Sequence, residues 1–182
     1  MHVVAISGSP RAGSSNAALL RAARELAPEG MQMTVYDAIG TLPLFTPDLD
    51  EEGAAPPDAV GRFRALLREA DGIVISSPEY AHGAPGALKN ALDWLVSSGE
   101  LEGKPLALLV ASPSGGQYAQ ASLTPTLEVM GAALVAATAF TFTRKQIDDT
   151  GRLVDHAVAE TLRTSLAALA ASAAGASAAG AP

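Results

Sequence analysis

Five short apolar runs recur along the chain, and between them the apolar residues switch to helical spacing. The runs are residues 3–6, the alternating Met31, Met33 and Val35, residues 73–75, residues 106–110 and residues 134–142. Unbroken runs of this length read as strands buried on both faces, because helices cover the two sides of a parallel sheet. Leu19, Leu20, Ala23 and Leu26 mark a first helix, and Val60, Phe63, Leu66 and Leu67 a second. Leu88, Leu92 and Leu95 give a third, Leu123, Leu127 and Met130 a fourth behind Gln117, and Val158, Leu162, Leu166 and Leu169 an amphipathic fifth. Strand and helix alternate five times over.

Right-handed crossovers leave few topologies for such a chain. The commonest is the α/β three-layer sandwich of flavodoxin-like type, a five-stranded parallel sheet in the order 2-1-3-4-5 with helices on both faces. At 182 residues one domain accounts for the sequence. Residues 1–170 are read as that domain. Residues 171–182 contain only Ala, Ser, Gly and Pro without an apolar stripe, and are read as a disordered tail or frayed helix with no assigned function. Ligands of this fold sit beyond the carboxyl ends of the strands at the switch point, so chemistry belongs in the loops that follow strands.

Composition removes several classes of function. A formal net charge of −7 repels polyanions, which argues against nucleic acid as a partner. Without cysteine there is no disulfide, thiolate nucleophile or Cys-ligated metal, and His2, His82 and His156 form no ligand pair. No metal site is expected. The start of the chain lacks a basic region and a small-residue cleavage site, and charged residues, Pro or Gly interrupt every apolar run before membrane-spanning length. A cytoplasmic protein without a membrane partner is the expectation.

Three loops carry the signal. The first strand runs into Gly8-Ser9-Pro10-Arg11-Ala12-Gly13-Ser14-Ser15-Asn16 and then a helix. Unpaired helix-start amides, the short polar side chains of Ser9, Ser14, Ser15 and Asn16, and the Arg11 guanidinium suit a terminal phosphate. The glycine spacing is that of a triphosphate loop, but Ser14-Ser15 stands where that motif needs Lys and Ser or Thr. A G-x-G-x-x-G fingerprint is also missing, so a phosphomonoester fits better than a triphosphate or a bound dinucleotide. Serine capping of the helix is the plainer alternative.

After the third strand, Pro78-Glu79-Tyr80-Ala81-His82 is stiffened by Pro78 and by Pro85 further on, and its amides can be aimed at a planar ring. After the fourth, Ser114-Gly115-Gly116 lets a flat ligand approach the backbone. The apolar connection Leu42-Pro43-Leu44-Phe45-Thr46-Pro47-Asp48-Leu49-Asp50 reads as a lid or a subunit contact. Lys89 and Asn90 are read as capping or ion-pairing residues, and Trp94 as core.

These segments, with Pro85-Gly86-Ala87-Leu88-Lys89-Asn90-Ala91-Leu92-Asp93-Trp94, resemble the NAD(P)H-dependent FMN reductase family of quinone, azo-dye and chromate reductases. The resemblance implies FMN as cofactor and NADPH or NADH as co-substrate, with hydride passing through flavin N5 to a small acceptor and no catalytic side chain. It implies that Ser9, Arg11, Ser14 and Asn16 hold the phosphate. Pro78, Glu79 and Tyr80 would flank the isoalloxazine, and Ser114 and Gly115 close its other side. The family pattern carries Asn after Pro-Glu-Tyr, where this chain has Ala81 and then His82; their backbone amides are left to serve the ring. The resemblance also implies a homodimer or homotetramer, with Phe45, Leu49 and Trp94 as interface candidates. The alternatives are an FMN-binding electron carrier without NAD(P)H activity and a flavodoxin-fold protein that binds no cofactor.

Overall fold

The computed structural model describes residues 1–11 and 13–179; Ala12 and residues 180–182 lie outside it. Five strands, β1 (His2–Ser7), β2 (Gln32–Tyr36), β3 (Gly72–Ser77), β4 (Pro105–Ser112) and β5 (Ala133–Thr141), pair in parallel in the order β2-β1-β3-β4-β5. Between and after them run α1 (Ser15–Glu25), α2 (Asp58–Arg68), α3 (Gly86–Asp93), α4 (Gln117–Val129) and α5 (His156–Ala179). The expected topology is the one observed.

Strand periodicity sorts the core into two halves. Successive side chains of a strand face opposite ways. Val4 and Ile6 therefore point, with Ile73, Ile75, Leu106 and Leu108, toward Phe63 and Leu67 of α2, Leu88 and Leu92 of α3, and Leu123 and Leu127 of α4. Val3 and Ala5 point, with Val74, Ala107 and Leu109, toward Leu19 and Leu20 of α1 and Leu162, Leu166 and Leu169 of α5. Burying each such side chain contributes roughly 1.5–3 kcal/mol, which makes the central strands the rigid base from which the loops project. Helix α5 continues beyond residue 170 to Ala179, and Ala173 is buried. Residues 180–182 of the expected frayed tail lie outside the described residues.

The connection between β2 and α2 is pinned rather than free to act as a lid. The Pro43 carbonyl accepts from Asn90 Nδ2 (3.0 Å) and from the Trp94 indole N–H (2.8 Å), and the Phe45 amide donates to Asn90 Oδ1 (2.8 Å). Buried Arg64 bonds Asp50 at 2.8 Å and also donates to the Trp94 carbonyl. Trp94 is fully buried within the chain, edge-on to Phe45, which removes it from the interface candidates. Lys89 pairs with Asp93 one helical turn on.

Candidate functional site

The loops after β1, β3 and β4 meet at the carboxyl end of the sheet and are laced together by side chains. The first crossing is between Ser9 and Tyr80, whose hydroxyls lie 3.1 Å apart. The second is Glu79, which reaches over the neighbouring loop. Its carboxylate accepts from the Ser114 hydroxyl (3.2 Å) and from the backbone N–H groups of Tyr118 (2.9 Å) and Ala119 (3.0 Å) in the first turn of α4. Those amides are orphan donors at the positive end of the helix dipole. The Ala119 N–H bond is the chief cause that holds the Glu79 carboxyl below its ordinary range, so the group is charged and committed to α4.

The third crossing is Asn16. It is buried, its Nδ2 donates to the Ala111 carbonyl (3.1 Å), and its Oδ1 accepts from the Ser76 hydroxyl (2.7 Å). Both ends of the amide are therefore used inside the protein. Asn16 ties the start of α1 to the ends of β3 and β4 from behind the phosphate loop, a placement different from the direct phosphate contact that the resemblance implies.

The phosphate loop itself is built by local geometry. Gly8 is required because a Cβ there would lie 3.0 Å from the Ser76 carbonyl oxygen and 3.1 Å from Ser77 Cα. Its N–H donates to that carbonyl at 2.7 Å, which turns the chain off β1 at a fixed angle. Ser14 caps α1 and accepts from the Asn16 amide (3.2 Å), so the plainer reading of a capping serine is realised within the same loop. Ser9 and Ser14 are buried, Ser15 is half-buried, and Arg11 is exposed. No carboxylate occurs between Ser7 and Glu25 in a chain with 19 acidic residues. A helix start, hydroxyls, a guanidinium and no negative charge form a donor set suited to a phosphate dianion. FMN fits this end of the site.

The other two loops form a rim. Pro78 and Pro85 are buried, and Pro85 precedes the first turn of α3. Tyr80 and Gly83 exchange two backbone hydrogen bonds of 3.0 Å, closing a tight turn around Ala81 and His82. Both central residues have positive φ, +49° and +58°, a region that Asn and Gly tolerate far better than Ala. An Asn at the position of Ala81, as in the family pattern, thus has a backbone reason. The turn sets the His82 ring on Tyr118, with centroids 4.2 Å apart and planes 22° from parallel. Opposite, Gly115 and Gly116 have φ of +94° and +82°, and a Cβ on Gly116 would collide with Val110 Cγ1 at 2.5 Å. The stacking role of Tyr118 was not singled out from sequence, since its partner His82 is 36 residues away in the chain.

Sheet order, phosphate-suited loop and ring-suited rim together define a mononucleotide-binding protein of the flavodoxin-like class. Comparison with known proteins narrows this. The family model described as NADPH-dependent FMN reductase matches residues 1–146. An NAD(P)H-dependent FMN reductase of Pseudomonas aeruginosa is 38% identical over 173 residues, covering 92% of each chain. A quinone reductase of Escherichia coli is 32% identical over 175 residues, covering 92% of this chain and 93% of the relative. Among solved structures, the flavoenzyme FerB, an NAD(P)H:(acceptor) oxidoreductase from Paracoccus denitrificans, superposes with a TM-score of 0.82 at 26% identity, covering 95% of this chain and 97% of its own. The chain belongs to the NADPH-dependent FMN reductase family, and is an oxidoreductase that works with FMN and a reduced nicotinamide.

Proposed function

We propose that the protein delivers electrons from NADPH or NADH to a small, flat acceptor of the quinone or azo class, acting in the cytoplasm as a homodimer or homotetramer. The observation that carries the acceptor class is the aromatic rim. Tyr80 and Tyr118 are each 49% exposed beside the laced loops, and His82 lies flat on Tyr118. An open edge of this kind receives planar rings by stacking and makes few demands on their substituents. The quinone reductase relatives support the same choice.

The division of labour follows from the residues. Arg11, Ser9, Ser14 and Ser15 neutralise and orient a phosphate at the start of α1, with Asn16 fixing the loop behind them. Pro78, Glu79 and the Tyr80–Gly83 turn present the amides of Ala81 and His82 on one side, while Ser114, Gly115 and Gly116 bring bare backbone to the other. Bound FMN supplies the two-electron redox chemistry, so no side chain need act as a nucleophile. Glu79 keeps its proton off and its position fixed, which holds two of the loops at constant spacing as a ligand comes and goes.

An assembly of two or more copies is supported by Leu44, 83% exposed, with Leu49 and Val96 flanking the Asp50–Ser97 contact as further exposed apolar side chains. Among the described residues, no helix is long and apolar enough to cross a membrane. The test is steady-state oxidation of NADPH by the FMN-loaded protein with a series of quinones and azo dyes. Turnover that follows acceptor planarity and reduction potential is expected. Turnover with oxygen alone, unaffected by any of these acceptors, contradicts the assignment.

A further inference from the structure

A cavity of about 650 Å³ opens beside the phosphate loop, whose Arg11, Gly13, Ser14 and Ser15 form one wall, and extends between the start of α1 and the segment joining β5 to α5. Its size falls within the range of small-molecule sites. Arg11, Arg21, Arg144 and Lys145 line it, opposed by Asp148 and Asp149. With Arg11 turned to the FMN phosphate, Arg21, Arg144 and Lys145 still outnumber the two carboxylates by one, in a molecule whose net charge is −7.

Arg11 belongs to the FMN phosphate, but Arg21, Arg144 and Lys145 are unspent. Among the described residues none of them has a carboxylate within 4 Å or a side-chain hydrogen bond, a state they share with Arg24, Arg62 and Arg152, whereas Arg64, Arg68, Lys89 and Arg163 are ion-paired and Lys104 is held by backbone carbonyls. Asp148 is occupied with its own turn: Oδ1 accepts from the Thr150 amide, the Thr150 hydroxyl and the Arg152 amide at 2.7–2.9 Å. Arg144 and Lys145 are presented by a short 3₁₀ turn, Arg144–Gln146, that is locked by a reciprocal cap. The Thr143 amide donates to Gln146 Oε1 (2.8 Å), and Thr143 Oγ1 accepts from the Lys145 amide (3.3 Å). Ala18, Pro113 and Ile147 add apolar lining.

We propose that this cavity docks the adenylate end of the nicotinamide donor, with Arg21, Arg144 and Lys145 meeting its phosphates. The donor is a polyanion that must settle on an acidic protein, and a local reversal of sign both attracts it and fixes its orientation. The phosphorylated ribose of NADPH gains most from three neighbouring cations, so NADPH is favoured over NADH. This rests on the nicotinamide-dependent reading of the chain, and not on the class of acceptor.

The test uses FMN-loaded protein and adenosine 2′,5′-bisphosphate as probe, followed by isothermal titration calorimetry. Arg144→Gln/Lys145→Gln should weaken the probe about tenfold or more, with binding to the parent protein falling steeply as salt is raised, and KM for NADPH should rise in parallel. Arg21→Gln, on a separate element, should act in the same direction, and circular dichroism checks that each variant is folded. Equal probe affinity in parent and variants overturns the proposal. Titrating flavin-free protein with FMN and FAD separates the other source of the same chemistry: a loss confined to FAD, with the bisphosphate unaffected, assigns the cavity to a flavin adenylate and also overturns it. A protein that reduces no quinone or azo dye but binds the bisphosphate as described leaves this inference standing while the acceptor assignment fails.

Discussion

Replacing Asn16 with alanine separates two roles that sequence alone merges. The Asn16 amide bonds the Ala111 carbonyl at 3.1 Å and the Ser76 hydroxyl at 2.7 Å, and Asn16, Ser76 and Ala111 are all almost wholly buried. Truncation strands one donor and one acceptor away from water, each costing about 1–3 kcal/mol, for a total of about 2–6 kcal/mol. That is a large share of the usual 5–15 kcal/mol of a domain's stability. At roughly 2–4 °C per kcal/mol for a chain of this size, the midpoint should drop by about 4–24 °C. The assay is thermal and urea unfolding of flavin-free protein, so that ligand linkage does not contribute. Ser76→Ala should show part of the loss, and the double variant Asn16→Ala/Ser76→Ala less than the sum of the two, because each single change strands the other's partner. A midpoint within about 1 °C of the parent's, combined with lost FMN affinity, would refute the latch and return Asn16 to the phosphate.

Ala81→Asn should raise the unfolding midpoint by a few degrees, because it relieves a positive-φ alanine worth about 1 kcal/mol; an unchanged or lower midpoint would mean the turn is not strained. Glu79→Gln should destabilise at neutral pH. The Glu79 carboxyl lies below its ordinary 4.5 in the folded state, so its contribution is full above that value and fades as pH falls through the folded one. The gap between parent and variant in urea unfolding should therefore close in acid, and a gap independent of pH would show that charge is not involved. Arg11→Ala should weaken FMN by about 1.5–3 kcal/mol, or tenfold to a hundredfold in Kd, read by quenching of flavin fluorescence; equal affinity would take Arg11 out of the phosphate site.

The sheet was legible because both faces of β1, β3 and β4 are covered, and continuous runs such as residues 73–75 and 106–110 have no other economical reading. Pro125 sits inside α4 without ending it, on the exposed side where water can serve the carbonyl that loses its partner. The loops were legible as loops, and their convergence followed from topology. What each side chain does inside them was not. Glu79 turns away to cap a helix nearly 40 residues on, and Asn16 turns inward because Ser76 and Ala111 offer partners that only the folded sheet brings near. The same holds for the connection around Pro43, whose apolar composition reads as a lid or a subunit contact, while Asn90 and Trp94 fasten it against a lid's motion. Helix α5 extends past residue 170 although residues 171–179 lack an apolar stripe, in keeping with the high helix propensity of alanine.

The most direct test of whether this chain itself joins nicotinamide oxidation to flavin reduction is the visible spectrum of the FMN-loaded protein, recorded anaerobically as NADPH is added with no second protein present. The flavin bands should disappear within the mixing time of the donor and return when a quinone follows. Bands that persist until a separate reductase is supplied would contradict the account, and leave the chain as a flavin-carrying electron relay.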